Sequence, residues 1–354
     1  MTYHDLGIRP VINAAATLTA LGGSVLAPPV AAAMTEAGRH FIDLAELHRT
    51  VGDRLAELTG NEAGYVTCGA WAGTVHAVAA CLVGTDPDLA LRLPDTSGLA
   101  RDEIVVFPAQ RKGYEEAVRL TGAKLSSEIG PRTAAVLWYA GPRFADGAPE
   151  LAEVVATGVP VIVDAAAQIP PIASLWRHTV ELGAAAVVVS GGKGLRGPQS
   201  SGLVLGRRSV IEGCRVNGSP HHGVGRGMKV GKEELLGLLA AVEWTLAQDE
   251  TAMLAGYEAV VDRWLAGLAG LAGVAGVERG YPSEAGQPHS RVIVHIGPDR
   301  DRVVARLLAG DPRVAVGVLG EQAIALNPQT VAEDEVEPVL AAVRRVLTAI
   351  SPAC

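Results

Sequence analysis

Cysteine is scarce and unpatterned in this sequence. Cys68, Cys81, Cys214 and Cys354 form no CxxC pair and no ligand spacing, which argues against structural zinc and suits a reducing compartment. MTYHDLGIRP lacks a basic segment followed by an apolar core, so it does not read as a signal peptide, and no uncharged apolar run is long enough to span a bilayer. The expectation is a cytoplasmic protein with no membrane partner. Basic residues are outnumbered, 30 against 38 acidic, and the formal net charge of −8 argues against a nucleic-acid partner. Two nucleotide signatures are missing as well. No GxGxxG follows a strand, and SGGKGL lacks the full Walker pattern.

Apolar residues are plentiful, 49% of 354 residues, enough for one large and one small domain. From EIVVF onward strand and helix alternate: AVRLTGAKL, TAAVLWYA, the helix PELAEVVATG, VPVIVDA, the helix SLWRHTVELG, AAAVVVS and SGLVLG. That alternation predicts an α/β fold, a mostly parallel sheet with helices on both faces and a ligand at the carboxyl ends of its strands. Ahead of it, Val30, Met34, Phe41, Leu44, Val51, Leu55 and Leu58 recur at helical spacing and are expected to face the core. Thr85 to Asp102 reads as a surface excursion. From about Gln248 the pattern changes to a helix, Met253 to Leu271, then short strands and a terminal helix, a small α+β domain. The expected organisation is an N-terminal arm over 1–30, a large domain over 31–247 and a small domain over 248–354.

The chemistry centres on AAAVVVSGGKGLRGPQSSGLVLG, where Lys193 sits in a glycine-rich loop between two apolar strands. Loss of hydration there favours a neutral, nucleophilic amine. Upstream, the apolar strand of VPVIVDAAAQIPP ends on Asp164, and a carboxylate in that place can pair with a pyridinium nitrogen while the later lysine forms a Schiff base. Strand-Asp followed by strand-Ser-x-x-Lys is the arrangement of a pyridoxal 5'-phosphate site. In EAGYVTCGAWAGTVHAV a turn of small residues leads into a helix, a ready phosphate site with Thr67 and Cys68 at the cap and the N–H groups of Gly69, Ala70 and Trp71 free. Arg196, Arg226 and Lys229 supply an anion-binding wall, while the arm with Arg9, Asn13 and Thr17 reads equally as a strand that crosses onto the core or as an arm that brings these polar groups to a pocket. His221 and His222 have no third ligand, so no metal is expected.

GIRPVINAAATLT, LTGNEAGYVTCGAWAG, VPVIVDAAAQIPP, SGGKGLRGPQSSG, GRGMKVGKEE and GDPRVAVG together resemble the selenocysteine-synthase-like group of fold-type I pyridoxal phosphate enzymes. The resemblance is strongest to its branch of bacterial D-glucosaminate-6-phosphate ammonia-lyases. It covers nearly the whole chain and implies an aminotransferase-like fold and a homo-oligomer with active sites at subunit interfaces. It also implies Lys193 as the Schiff-base residue, Asp164 at the pyridine nitrogen, Ser190 and the TCGAW turn at the cofactor phosphate, and Gln110 and Gln168 beside the cofactor. The expected reaction is Cα deprotonation and β-elimination on a β-hydroxy amino acid or a 2-amino sugar acid, phosphorylated or not, giving a 2-oxo acid and ammonia. An aldolase, racemase or transferase uses the same parts. A different class of protein, binding a phosphorylated metabolite without catalysis, would keep Lys193 as a solvated loop residue.

Overall fold

The computed structural model describes residues 1–271 and 273–350, so Cys354 lies outside the described residues. Its strands are β1 (Ile12–Ala14), β2 (Ala63–Thr67), β3 (Glu103–Val105), β4 (Lys124–Ser126), β5 (Thr133–Tyr139), β6 (Val161–Asp164), β7 (Ala186–Ser190), β8 (Gly202–Gly206), β9 (Gly276–Gly280), β10 (Arg291–His295), β11 (Val314–Leu319) and β12 (Ala323–Leu326). Its helices are α1 (Pro28–Ala37), α2 (Leu44–Thr59), α3 (Ala70–Val83), α4 (Pro87–Arg92), α5 (Glu116–Leu120), α6 (Leu151–Ala156), α7 (Arg208–Asn217), α8 (Lys232–Leu246), α9 (Glu250–Leu268), α10 (Arg300–Ala309) and α11 (Val336–Ile350). The chain divides into two compact units, one of residues 24–248 and one of residues 1–23 with 249–354.

The unit of residues 24–248 is built on a sheet of order β2-β8-β7-β6-β5-β3-β4. Strands β7, β6, β5, β3 and β4 run parallel, and β8 is antiparallel to both β2 and β7. The sheet is mostly parallel, as the alternation predicts. Its central strands are unbroken apolar runs because both faces are covered. Val136, Val161, Val163 and Val187 pack on the side of α2 and α8, while Leu137, Ile162, Val188 and Val204 pack on the side of α3 and α7.

The other unit has a sheet of order β1-β11-β12-β10-β9. Strand β1 pairs parallel with β11, and the remaining pairs are antiparallel. Its core gathers around the fully buried Trp264 of α9, whose indole donates to the Val336 carbonyl. The first residues of the chain therefore form part of this sheet.

Two local expectations need correction, and a third, borne out as a mostly exposed segment, gains detail. Phe41 does not face the core. It is fully exposed, because α1 stops at Ala37 and α2 begins only after Asp43, whose carboxylate caps the N–H groups of Ala45 and Glu46. SLWRHTVELG is two short turns, 172–175 and 177–181, since Trp176 at φ −135° breaks the helical run. The excursion before Asp102 contains α4, started by the Asp86 cap and Pro87.

Candidate active site

Strand register assembles the site. Thr67 of β2 and Ser190 of β7 both pair with Gly202 of β8, so the three lie in one row across the sheet. Asp164 of β6 lies between Tyr139 of β5 and Val188 of β7 in the neighbouring row. Residues directly opposite share a face, and alternate residues along a strand do too. Tyr65, Tyr139, Ile162 and Val188 pack on the α3 side, so Thr67, Asp164 and Ser190 emerge on that side as well. All three stand at carboxyl ends of strands that lead into loops or into α3.

Gly202 explains how α3 reaches this row. A Cβ on Gly202 would lie 2.6 Å from the Ala70 nitrogen, so only a residue without a side chain lets the helix start settle between Thr67 and Ser190. The cap residue is Gly69, at φ +147°, rather than Thr67 or Cys68, and no side chain caps the helix. Thr67 instead donates its hydroxyl to the Gly69 carbonyl at 2.8 Å, and Cys68 is half-buried, its thiol pKa raised by that burial. The first-turn N–H groups of Ala70, Trp71 and Ala72 have no intrahelical acceptor, which is the donor set a phosphate needs.

Asp164 is deep in the unit though not closed off. Burial raises its pKa, opposed by a hydrogen bond from the Ala166 N–H at 3.0 Å and by the charge of Lys193. Lys193 lies in the loop that leaves β7, and its carbonyl accepts from the Arg196 N–H at 2.9 Å. The loop is pressed against its surroundings: a Cβ on Gly194 would fall 2.8 Å from the Ile169 carbonyl carbon. Arg196 holds the far end at φ +54°, an uncommon conformation for a side-chain-bearing residue, with its guanidinium donating to the Val25 carbonyl and lying 5.3 Å from the Trp244 ring centre. It anchors the loop, whatever else it touches.

Not every expected residue joins this group. Gln110 is fully buried, and its amide donates to the carbonyls of Tyr139 and Phe144 and accepts from the Tyr139 N–H, so it pins the end of β5 rather than facing a cofactor ring. Gln168 donates to the Ala140 carbonyl and sits in the loop after β6. Arg226 and Lys229 are exposed, with no ion-pair partner among the described residues. Arg9, Asn13 and Thr17 belong to the other unit. Arg9 donates to the Ala309 and Gly310 carbonyls, and the Asn13 amide bonds the backbone of Ala15 and Ala16, so these side chains serve their own backbone. Thr17 is buried.

Two contributors were not singled out from the sequence. Gly202 looked like an ordinary strand residue of SGLVLG, and Tyr139 like part of an apolar run; the signal for Tyr139 was its place at the end of the strand preceding Asp164. The donor set fits pyridoxal phosphate. It offers a buried carboxylate poorly matched by positive charge, an uncapped helix start beside two hydroxyls, and a lysine whose charge Asp164 feels.

No family model matches the chain. It is 38% identical over 277 residues to the 5'-C-glycyluridine monooxygenase-decarboxylase of a Streptomyces species, covering 71% of this chain and 67% of that protein. It is 31% identical over 376 residues to D-glucosaminate-6-phosphate ammonia lyase of Salmonella typhimurium, covering 97% of each. The solved structure of a D-glucosaminate-6-phosphate ammonia-lyase matches with a TM-score of 0.82 at 29% identity over 99% of both chains. A serine palmitoyltransferase from Sphingomonas wittichii shares the fold at a TM-score of 0.64 and 15% identity, over 97% of this chain and 89% of that one.

Proposed function

The chain belongs to the fold-type I pyridoxal phosphate family that includes D-glucosaminate-6-phosphate ammonia lyase, and from that membership we propose that it is a lyase that eliminates a β-substituent from an amino acid or 2-amino sugar acid. The observation that carries the reading is the strand register, which puts Asp164, Ser190 and the uncapped start of α3 on one face beside the Lys193 loop. Lys193 would hold the cofactor through Nζ, with Asp164 at its ring nitrogen and the first turn of α3, Thr67 and Ser190 at its phosphate. When bound, the cofactor supplies an electron sink for the pair left at the substrate Cα.

The residues of this chain do the rest. Asp164 keeps a ring nitrogen protonated, because a cationic ring is the partner that burial otherwise denies its carboxylate. Lys193 Nζ is the base that takes the Cα proton, and as an ammonium it returns a proton to the departing β-hydroxyl, which leaves as water. The dehydrated amino acid then hydrolyses to a 2-oxo acid and ammonia. Arg226 and Lys229, exposed cations on the segment before α8, stand outside the group around Lys193 and would be the grip on a substrate carboxylate or phosphate only at its outer end. Exposed Val25, Phe41, Ile42 and Trp71 support a homo-oligomer with its sites near the subunit contacts. No helix among the described residues is long and apolar enough to cross a membrane.

The more identical Streptomyces relative, a monooxygenase-decarboxylase, favours a second reading, oxygen-dependent decarboxylation. One experiment separates the two. One portion of the protein reconstituted with pyridoxal phosphate is reduced with borohydride and mapped, and a second, unreduced portion is offered D- and L-β-hydroxy amino acids and 2-amino sugar acids. A pyridoxyl group on Lys193 with equal release of ammonia and 2-oxo acid is the expected result, and Lys193→Ala abolishes it. Oxygen uptake with carbon dioxide release selects the second reading, and a label on Lys112, Lys229 or Lys232 rejects the site.

A further inference from the structure

Beside Asp164 stands a cluster of aromatic rings in a chain that has few. Tyr139 is the register partner of Asp164, and its side chain leaves the same face of the sheet one strand away. Phe144 stacks on Tyr139 with ring centres 5.2 Å apart and planes at 27°. Tyr114, from the loop after β3, tilts against Tyr139 at 6.2 Å and meets Phe144 edge-on at 6.4 Å. Arg143 lies 5.7 Å from the Phe144 ring centre.

The cluster is built rather than incidental. Gln110 ties it together, its amide bonding Tyr139 on both backbone groups and reaching the Phe144 carbonyl at 3.4 Å. Tyr139 is 2% exposed and its hydroxyl has no hydrogen-bond partner among the described residues. Buried hydroxyls are seldom left so. Tyr114, by contrast, is 48% exposed, so a ring face stays open where the loops after β3 and β5 meet.

We propose that Tyr114, Phe144 and Tyr139 form a substrate subsite that receives a planar ring carried on the side chain of the amino acid, with Tyr114 as its open stacking face and the Tyr139 hydroxyl as its polar contact. This rests on the reading of Lys193 and Asp164 as the reacting centre. A planar ring fits because it meets aromatic faces at low entropic cost, whereas an open-chain polyol would leave them wet. Carbocyclic and nucleobase rings share this chemistry.

The test is calorimetric titration of the pyridoxal phosphate-loaded protein with L- and D-serine, L- and D-phenylalanine and 5'-C-glycyluridine, the last two kinds telling a carbocyclic from a nucleobase ring. At least one ring-bearing amino acid is expected to bind about tenfold or more tighter than serine. The preference should fall roughly three- to tenfold in Tyr114→Ala, as expected for losing one aromatic pair, and return in Tyr114→Phe. Tyr281→Ala, at an exposed tyrosine of the other unit, should leave it unchanged. Equal binding of serine and every ring-bearing amino acid, or an undiminished preference in Tyr114→Ala, overturns the subsite alone. A protein that takes up no cofactor, read by its near-visible absorbance, overturns the reading beneath it.

Discussion

Asp164 carries a conflict between stability and chemistry, because burial works against the charge that a ring nitrogen needs opposite it. The conflict has a sign. A carboxyl whose folded pKa is raised destabilises the fold as pH rises through that pKa, and the penalty vanishes below the ordinary carboxylate range. In the cofactor-free protein, Asp164→Asn should therefore raise the melting temperature at neutral pH, with the gain shrinking as the buffer is made acid. The same substitution should lower turnover of the loaded enzyme at least about a hundredfold, the usual scale for a lost charge contact in a dry site. A variant that is no more stable at pH 7 and nearly fully active would reduce Asp164 to a strand-end carboxylate. At this scale the sequence showed residues whose place is set by strands: Asp164, Ser190 and Lys193 follow from where apolar runs end. It misled for Gln110 and Asn13. Short polar side chains bond whichever backbone groups lie nearest, and only the folded chain says which those are.

Among the elements, the meeting of α3 with β8 decides whether the phosphate donors are in place. Gly202→Ala would set a methyl group 2.6 Å from the Ala70 nitrogen, so the helix start must lift from the sheet. A loss of about 1 to 3 kcal/mol, the range for overpacking, is expected, together with weaker cofactor binding measured by titration of the apoprotein. Gly227→Ala, in open space, is the control and should change neither. Unaltered cofactor affinity in Gly202→Ala would mean that the phosphate is held elsewhere. The parallel strands were legible because burial on both faces leaves unbroken runs of valine and isoleucine. The antiparallel run of β8 was not, since an apolar strand looks the same in either direction. The turns around Trp176 were lost for another reason: their helical composition is overridden by one backbone angle.

At the scale of the whole molecule, a composition change near Gln248 marked the second unit, yet the first residues, legible as a strand on the core or as an arm to a pocket, did not say which sheet they complete. Only pairing shows it: Ile12, Asn13 and Ala14 lie against Val314, Ala315 and Val316. Further bonds fasten the strand, from the Thr330 hydroxyl to the Asn13 carbonyl at 2.7 Å and from the Asn327 N–H to the Ala14 carbonyl at 2.8 Å. Removing residues 1–23 should speed hydrogen exchange at Val314–Val316 and leave the amides of β6 and β7 protected, as read by mass spectrometry of peptides. Equal protection in both proteins would make β1 dispensable. This pairing also sets a timetable on the ribosome. Strand β1 is made about 300 residues before its partner, and at roughly 5 to 20 residues per second it waits on the order of 15 to 60 s while residues 24–248 emerge complete. A strand of three residues close behind Pro10 is a poor template for a neighbouring nascent chain, so the wait carries little risk of wrong pairing between polysome-mates.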